Sequence, residues 1–370
     1  MKRRLLAILL CAVMALSLGA CGDSNTDDTQ SNKQENVAQP SITKLADYKD
    51  FATVLTGNYE VTEEKINAYF TNVAYSAGIA LIEVKDRNTV QAGDIVKTDY
   101  KGLLNGEAFS GGTAADQWID VSNNCGIDAS SGSATGSFID GFAAGLVGAK
   151  VGEVKSHNVT FPENYGNADL AGKETTFEFT VKGIYTELTP ATMTDAMVVE
   201  HFQKDYNVST VAEFMELMRK EVAYNLVINS VLANSTFEIP EAYLDVRLEE
   251  YQNFFTELYC TQLDLETTLA YYYGVTLDQA KVEWAAALQS QIKAELVFEA
   301  IVKEANLQTD ENGLKEYVNT ITSAAATGNN EFYGKEENIY KMLGTGNVEE
   351  GKAYYLNQSA VRDYIMENYK

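Results

Sequence analysis

AGDIVKTDYKG at residues 92–102 opens a segment whose turns and alternating apolar positions are typical of a small β-domain. The pair Asn105-Gly106 follows, and this dipeptide is a strong signal for a tight hairpin because both residues adopt positive φ readily. Two further motifs, FIDGFAAGL at residues 138–146 and FPENYG at residues 161–166, precede a closing strand at residues 176–184. The segment 91–187 is therefore predicted to form one antiparallel β-domain with an aromatic lining.

The order and spacing of these motifs resemble the FKBP family of peptidyl-prolyl isomerases, and FPENY together with DLAGKE at residues 169–174 looks most like the version carried by trigger factors. The resemblance implies an antiparallel β-sheet with a short helix, and peptidyl-prolyl cis-trans isomerase activity. In the family, the backbone N–H of the residue here numbered Ile139 binds the substrate carbonyl, and Phe142 falls at the pocket floor. The resemblance implies pocket roles for Tyr100, Phe109, Trp118, Phe138, Ile139, Phe142, Tyr165 and Phe177.

The implied chemistry needs neither a nucleophile nor a cofactor. Rotation about an X-Pro bond crosses a barrier of about 18–20 kcal/mol because it breaks amide resonance. An apolar pocket that favours the twisted amide, with one N–H for its carbonyl oxygen, is sufficient. The chain has only two histidines, neither in metal-ligand spacing, so no metal and no cofactor are expected.

Two departures from the family pattern stand beside the pocket. Ser110 occupies a position that is usually acidic, and residues 123–137 are longer and richer in Ser and Gly than the matching loop, which predicts a flexible insert. An aromatic residue on an alternating strand can also be ordinary core. The alternative function is therefore a non-catalytic chaperone or peptide-binding lipoprotein that keeps the FKBP fold as a docking module. A solute-binding lipoprotein fits less well, because the repeated βα pattern of such proteins is absent from the sequence.

The flanking sequence is helical. Apolar spacing between Val61 and Ile82 predicts one helix within an N-terminal helical segment at 46–90. Beyond residue 188, apolar stripes at 211–232 and 276–305 predict an all-α domain at 188–307. Its motifs IPE at residues 239–241, GVTL at residues 274–277 and EANL at residues 304–307 resemble the C-terminal chaperone domain of trigger factor. Residues 308–370 are predicted to be a helical C-terminal extension. The fold class is α+β, with an FKBP-like domain between a helix and a helical chaperone-like domain.

The N-terminus indicates export and a lipid anchor. A basic start, an apolar stretch at 5–18 and a Leu18-Gly19-Ala20-Cys21 motif resemble a bacterial lipoprotein signal peptide at 1–21, in which Cys21 receives the lipid. The alternative is an ordinary signal peptide with an incidental cysteine. Residues 22–45 are predicted to be a flexible tether, and the protein is expected on the extracytoplasmic face of the cell membrane. These segments occupy the place of the ribosome-docking domain of trigger factors, so work at the ribosome is not expected.

Charge and composition restrict the partners. A formal net charge of -25 should repel phosphate backbones, so no nucleic acid is expected. The glycine and lysine spacing of residues 346–352 fits a phosphate-binding loop, but Ala353 replaces its hydroxyl residue and two glutamates lie inside it, so no nucleotide is expected. The expected partners are unfolded or proline-containing polypeptides and, through the lipid, the membrane. Cys125 and Cys260 lie in different predicted domains and make a weak case for a disulfide.

Overall fold

A computed structural model describes residues 37–260, 262–328 and 332–370, which divide into two compact units. One unit is Thr62–Arg219, and the other joins residues up to Val61 with Lys220–Lys370. The predicted signal peptide, Cys21 and most of the predicted tether lie outside the described residues. The last part of the tether is not flexible as predicted, because Ser41–Lys44 forms a strand that pairs with Thr236–Glu238. Among the helices of the described ranges, none combines the length and the apolar composition that crossing a bilayer requires.

The first unit contains an antiparallel sheet, in which seven strands fall within the described residues. The strands are β2 (Leu81–Glu83), β3 (Ile95–Leu104), β4 (Glu107–Asp120), β5 (Cys125–Ile127), β6 (Ala134–Ser137), β7 (Val154–Thr160) and β8 (Glu174–Glu187). Along the main path of the sheet the strand order is β2-β8-β3-β4-β5-β6, and β7 also pairs with β8. The short helix of this unit is a 3-10 turn at Ala143–Leu146.

Asn105 and Gly106 make the β3–β4 hairpin as their sequence predicts. Both have positive φ, 55° and 86°, and the flanking residues Leu104 and Glu107 are paired. The period of two along β8 then buries Phe177, Phe179 and a valine on the face that covers the 3-10 turn. The hydrophobic core of the unit therefore lies between one face of the sheet and that turn.

The predicted flexible insert at 123–137 is instead a β-hairpin, which corrects the sequence-based expectation. Strands β5 and β6 pair, with Cys125 opposite Ser137. The Ser- and Gly-rich residues form the turn, where the Asp128 carboxylate accepts hydrogen bonds from the backbone N–H groups of Ser130 and Ser131. Cys125 and Ile127 are buried on the second face of the sheet, so the composition reflects a tight turn and not a loop without structure.

The N-terminal helix of this unit is shorter than predicted. Helix Glu63–Ser76 begins at Thr62, whose side chain accepts a hydrogen bond from the N–H of Lys65. It does not extend to Ile82, because Gly78 with a φ of +74° ends the helical run and Leu81–Glu83 pairs with β8 as a strand. The segment 46–90, predicted to be helical, therefore also contributes to the sheet.

The second unit is mainly helical. The described helices of the chain are α1 (Phe51–Val54), α2 (Glu63–Ser76), α3 (Asp195–His201), α4 (Gln203–Tyr206), α5 (Val211–Asn234), α6 (Glu241–Tyr259), α7 (Leu265–Thr268), α8 (Leu277–Ala305), α9 (Glu311–Gly328), α10 (Glu336–Leu343) and α11 (Val348–Asn368). A π-helical turn at Leu269–Tyr273 follows α7, and β1 (Ser41–Lys44) pairs with β9 (Thr236–Glu238).

The first and the last described segments of the chain share the core of the helical unit. Tyr48 lies before α1 and packs edge-on against Tyr364 of α11, with ring centroids 6.1 Å apart. Val361 and Ile365 of α11 lie in one buried cluster with Ile301 of α8. The segment 308–370, predicted to be an extension, is thus part of this core.

Candidate functional site

Most of the sequence-predicted pocket residues meet in one cluster of aromatic rings in the first unit. Phe142, which begins the 3-10 turn, is at its centre. Its ring stacks on Phe138 with centroids 4.4 Å apart, and meets the rings of Phe177 at 4.8 Å and Tyr100 at 5.1 Å edge-to-face. Phe109 contacts Phe177 at 5.9 Å. These contacts bring together strands β3, β4 and β8 with the loop before the turn.

Exposure increases from the centre of this ring cluster to its edge. Phe142 and Phe177 are 2% and 4% exposed. Tyr100, Phe109, Phe138 and Ile139 are half-buried around them. The cluster is therefore an apolar face with a buried base and walls that reach the surface, and a flat apolar ring could pack against it.

Tyr165 lies at the edge of the cluster and reaches it through a ring that the sequence analysis did not assign. It is 40% exposed and its ring centroid is 4.6 Å from that of Phe161, which in turn lies 5.9 Å from Phe109. Phe161 is the first residue of the FPENYG motif. The available signal was its spacing from Val159, the last apolar residue of β7. Residues two positions apart on an extended chain face the same side, and both are buried in the same core cluster.

Trp118 does not lie with these rings, which corrects its assignment to the pocket. Neighbouring residues on a strand point to opposite faces of the sheet, and Ile119 is the one that enters the core. Trp118 packs on the other face against Tyr185, with centroids 4.5 Å apart, and the Lys97 ammonium lies 5.6 Å from its ring. The register of β3 with β4 decides this, because Lys97 is opposite Trp118 and Val96 is opposite Ile119.

Two glycines give the Phe109 ring its slot. A Cβ added at Gly102 would lie 2.5 Å from Phe109 Cζ, and one added at Gly112 would lie 2.5 Å from Phe109 Cε2. Both distances are too short for any side chain. The ring therefore fits in its position because β3 and β4 present bare backbone on both sides of it.

Polar groups around the cluster are few. Burial raises the pKa of the Tyr100 phenol, and within the described residues no group hydrogen-bonds its hydroxyl. Ser110, in the position that is acidic in the family, is exposed. The N–H of Ile139 likewise has no acceptor anywhere in the described ranges. The backbone N–H of half-buried Ile139 thus lies beside an apolar face.

Among the residues that the structure describes, His, Cys, Asp and Glu side chains form no group of three or more that could hold a metal ion. Cys125 and Cys260 are free thiols, and burial raises the pKa of Cys125. An apolar face with a single N–H can bind a proline ring and hold the carbonyl oxygen of the preceding residue. Whether the predicted residues bind a proline in this way stays a prediction.

The helical unit carries a different surface feature. Tyr271 and Tyr272 of the π-helical turn are 76% and 63% exposed, and their rings touch at 4.9 Å edge-to-face. The apolar side chains of Tyr259, Leu263 and Val282 are also exposed in this unit. Large apolar residues such as Val154 are exposed in the first unit too, so the feature particular to the helical unit is the pair of largely exposed tyrosine rings.

Two family models match the chain, in separate segments. Residues 86–183 match FKBP-type peptidyl-prolyl cis-trans isomerase, and residues 198–349 match the C-terminus of bacterial trigger factor protein. The first segment contains the ring cluster, and the second contains most of the helices of the second unit. The resemblances inferred from the motifs, and the α+β fold class, are thus confirmed.

Curated relatives that match most of the chain carry the name trigger factor. The one from Macrococcus caseolyticus is 31% identical over 327 residues, which are 82% of this chain and 71% of that protein. The one from Carboxydothermus hydrogenoformans is 30% identical over 328 residues, covering 84% and 69%. One from Clostridium botulinum, strain Alaska E43, is 28% identical over 294 residues, covering 74% and 62%. The chain therefore spans less than two thirds of that last relative.

Proposed function

Since this chain belongs to the trigger factor family, we propose that it is a foldase that isomerises X-Pro peptide bonds and holds unfolded polypeptides, anchored by a lipid on the extracytoplasmic face of the cell membrane. Three parts of the molecule support the three parts of the proposal. They are the ring cluster, the exposed tyrosines of the helical unit and the N-terminal Cys21 motif.

The isomerase function depends on one observation, which is the apolar ring cluster beside the unpaired Ile139 N–H. An apolar environment lowers the cost of losing amide resonance, because the twisted amide is less polar than the planar one. The N–H can hold the carbonyl oxygen of the residue before the proline while the bond turns. Half-buried Phe138 and Tyr100 then act as walls, and Phe142 as the base on which the proline ring packs.

The test is an isomerase assay on the full chain in mild detergent, with a peptide that contains a Phe-Pro bond. Phe138→Leu removes a wall ring and keeps apolar volume, and kcat/KM is expected to fall up to about tenfold, since an aromatic contact contributes about 0.5–1.5 kcal/mol. Trp118→Leu is the matched control, because Trp118 is half-buried on the other face of the sheet. A wild-type rate equal to the uncatalysed rate would remove the isomerase function and leave the docking-module alternative.

The holding function rests on the exposed apolar side chains of the helical unit. The full chain is expected to suppress aggregation of a denatured client, and the double substitution of Tyr271 and Tyr272 by Ser is expected to weaken this effect. Both rings are largely exposed, so the fold should tolerate the change. Tyr206→Ser, at a tyrosine that is 37% exposed in the other unit, is the control. Equal suppression by all three proteins would exclude these tyrosines as the holding surface.

The anchor rests on the LGAC sequence at residues 18–21, which places a cysteine at the end of a basic-then-apolar segment. In cells fed a labelled fatty acid, the wild-type chain is expected to take up label and Cys21→Ser is expected to lose it. Cys11→Ser is the control, because that cysteine lies within the apolar stretch. Label retained by Cys21→Ser would exclude the anchor.

A further inference from the structure

One residue of the β5–β6 hairpin contacts the loop that carries the Ile139 amide. Asn124 directly precedes β5 and has a φ of +49°, a conformation that Asn tolerates better than most residues. The hairpin brings Asn124 back beside residues 138–143, although these are 14 to 19 positions away in the chain. The hairpin therefore braces this loop.

All polar atoms of the Asn124 side chain are used in this contact. Its Nδ2 donates to the carbonyl oxygens of Phe138 at 3.1 Å and Ile139 at 3.0 Å, and its Oδ1 accepts from the N–H of Ala143 at 2.9 Å. In addition, the backbone carbonyl of Asn124 accepts from the N–H of Phe138 at 2.9 Å. Since two carbonyls lie on one side and an N–H on the other, only one orientation of the amide satisfies all three groups.

The first of these bonds fixes the direction of the Ile139 N–H. The carbonyl of Phe138 and the N–H of Ile139 belong to one planar trans peptide unit, so they point in opposite directions. Holding the oxygen toward Asn124 therefore holds the N–H away from it, where no group of the described protein accepts it. A hydrogen bond to the oxygen also polarises the N–H of the same unit. The hydrogen bond that this N–H donates is then stronger by about 10–30%.

We infer that Asn124 is a positioning residue of the isomerase site, which aims and polarises the Ile139 N–H toward the carbonyl of the residue before the substrate proline. The inference rests on the proposed function, because it concerns the amide that the isomerase would use. Asn124 does not touch the substrate itself. It acts through the peptide unit that does.

Asn124→Gly tests this role, because Gly adopts positive φ without steric cost and loses only the side chain. Misplaced catalytic groups cost up to about a hundredfold in rate, so kcat/KM is expected to fall about ten- to a hundredfold, mainly in kcat, while KM changes little because the rings remain. The Ile139 amide resonance is expected to shift in the NMR spectrum. Asn123→Gly is the control, since the exposed Asn123 side chain donates only to Asp120.

Asn124→Asp gives a readout that a purely structural role would not produce. The carboxylate has the same shape but no donor, so activity near neutral pH is expected to be low. Protonation at lower pH returns one donor, and kcat is expected to recover in the same folded molecule, whereas the wild type shows no such rise. NMR exchange spectroscopy on a Phe-Pro peptide measures the isomerisation rate of both proteins at each pH without a coupling protease.

The outcomes separate this inference from the proposed function. If the wild type is active and Asn124→Gly keeps kcat/KM within about twofold with an unmoved Ile139 resonance, the positioning role is wrong and the isomerase stands. If the wild type shows no activity, the proposed isomerase function is wrong. The positioning role is then tested by titrating the protein with the peptide and following the Ile139 amide resonance. The Ile139 resonance must then move on adding the peptide to the wild type and stay still in Asn124→Gly, or the inference falls too.

Discussion

Both units of this protein have apolar cores, but the polar groups set against those cores differ. The sheet unit places rings around Phe142, and the backbone N–H of Ile139 beside them has no acceptor among the residues that the structure describes. The helical unit buries a complete guanidinium, because Arg247 is 0% exposed and makes paired hydrogen bonds of 3.0 and 3.1 Å to the Glu295 carboxylate. A site for an uncharged amide needs an apolar surface open on one side, whereas an enclosed ion pair needs partners for its charges, because burial removes them from water.

The Arg247 network ties together separate parts of the helical unit. The guanidinium also donates to the carbonyl of Gly344 at 3.2 Å and the hydroxyl of Thr345 at 2.9 Å, in the turn between α10 and α11. Glu250 and Glu350 lie nearby, with nitrogen–oxygen distances of 3.7 and 3.9 Å. Helices α6, α8 and α11 therefore meet at one charge.

The largest expected effect comes from removing that charge. Arg247→Met leaves buried carboxylates unpaired, and losing one partner of a buried pair costs about 3–5 kcal/mol. Denaturant unfolding followed by hydrogen exchange should locate the loss in the helical unit, while isomerase activity is retained because the contacts of Arg247 lie within that unit. A loss of isomerase activity in Arg247→Met would contradict this expectation, because it would show that the site in the sheet unit depends on the Arg247 network.

The next effect acts on the sheet unit. Gly112→Ala forces the Phe109 ring out of its slot, and overpacking of this kind costs about 1–3 kcal/mol. Both kcat/KM and the melting temperature are expected to fall, and chaperone activity is expected to persist. Gly93→Ala is the control, because a Cβ there meets nothing within 4 Å. Equal behaviour of the two variants would show that the ring can move freely.

A change of pH should distinguish the units without mutation. Burial raises the pKa of Glu250 and of Glu350 above the ordinary carboxyl value. A raised folded pKa means that the folded state binds more protons between the unfolded and folded pKa values, so stability is greatest below this window and falls as pH rises through it. The helical unit is thus expected to melt higher on mild acidification from neutral pH.

Glu250→Gln should flatten that dependence in a calorimetric melt, because its side chain cannot titrate. The kcat/KM of the isomerase is expected to change little over the same range, since rings and a backbone N–H form its site. If the melting temperature of the helical unit falls on mild acidification, the raised pKa values of Glu250 and Glu350 do not control its stability.

The smallest effect is expected at Tyr100. Within the described residues its hydroxyl has no hydrogen-bond partner, so Tyr100→Phe removes an atom that no neighbouring group needs. Both stability and kcat/KM should stay close to wild type, within about 0.5 kcal/mol. A larger drop in kcat/KM alone would show that the hydroxyl contacts the substrate, and the site would then be less apolar than described.

Local signals predicted much of the sheet unit. Asn105-Gly106 specifies a hairpin through its own φ angles, and Thr62 caps a helix because its side chain accepts a hydrogen bond from a backbone N–H only three residues away. The motif that contains Phe142 placed this ring correctly, because a family pattern carries the result of tertiary packing. The end of the helix at Ser76 was missed, although Gly78 was a readable signal, since a glycine just after the last turn commonly ends a helix.

Other features escaped because their cause is distant in the chain. The position of Trp118 depends on the register of β3 with β4, and a shift of one residue would exchange it with Ile119. The hairpin at 123–137 is stable because Cys125 and Ile127 find an apolar face built by Ile95 and Trp118. Composition alone made the same residues look flexible.

The sequence by itself determined the turns, the helix start at Thr62 and the supply of rings, since each depends on backbone preferences or on residues a few positions apart. Only the tertiary structure decided which rings share a face, that Asn124 holds the peptide unit of Ile139, and that Arg247 is enclosed by carboxylates from α8 and α11. These depend on strand register and helix packing, which bring together groups from 14 to more than 100 positions apart, and no local pattern specifies them.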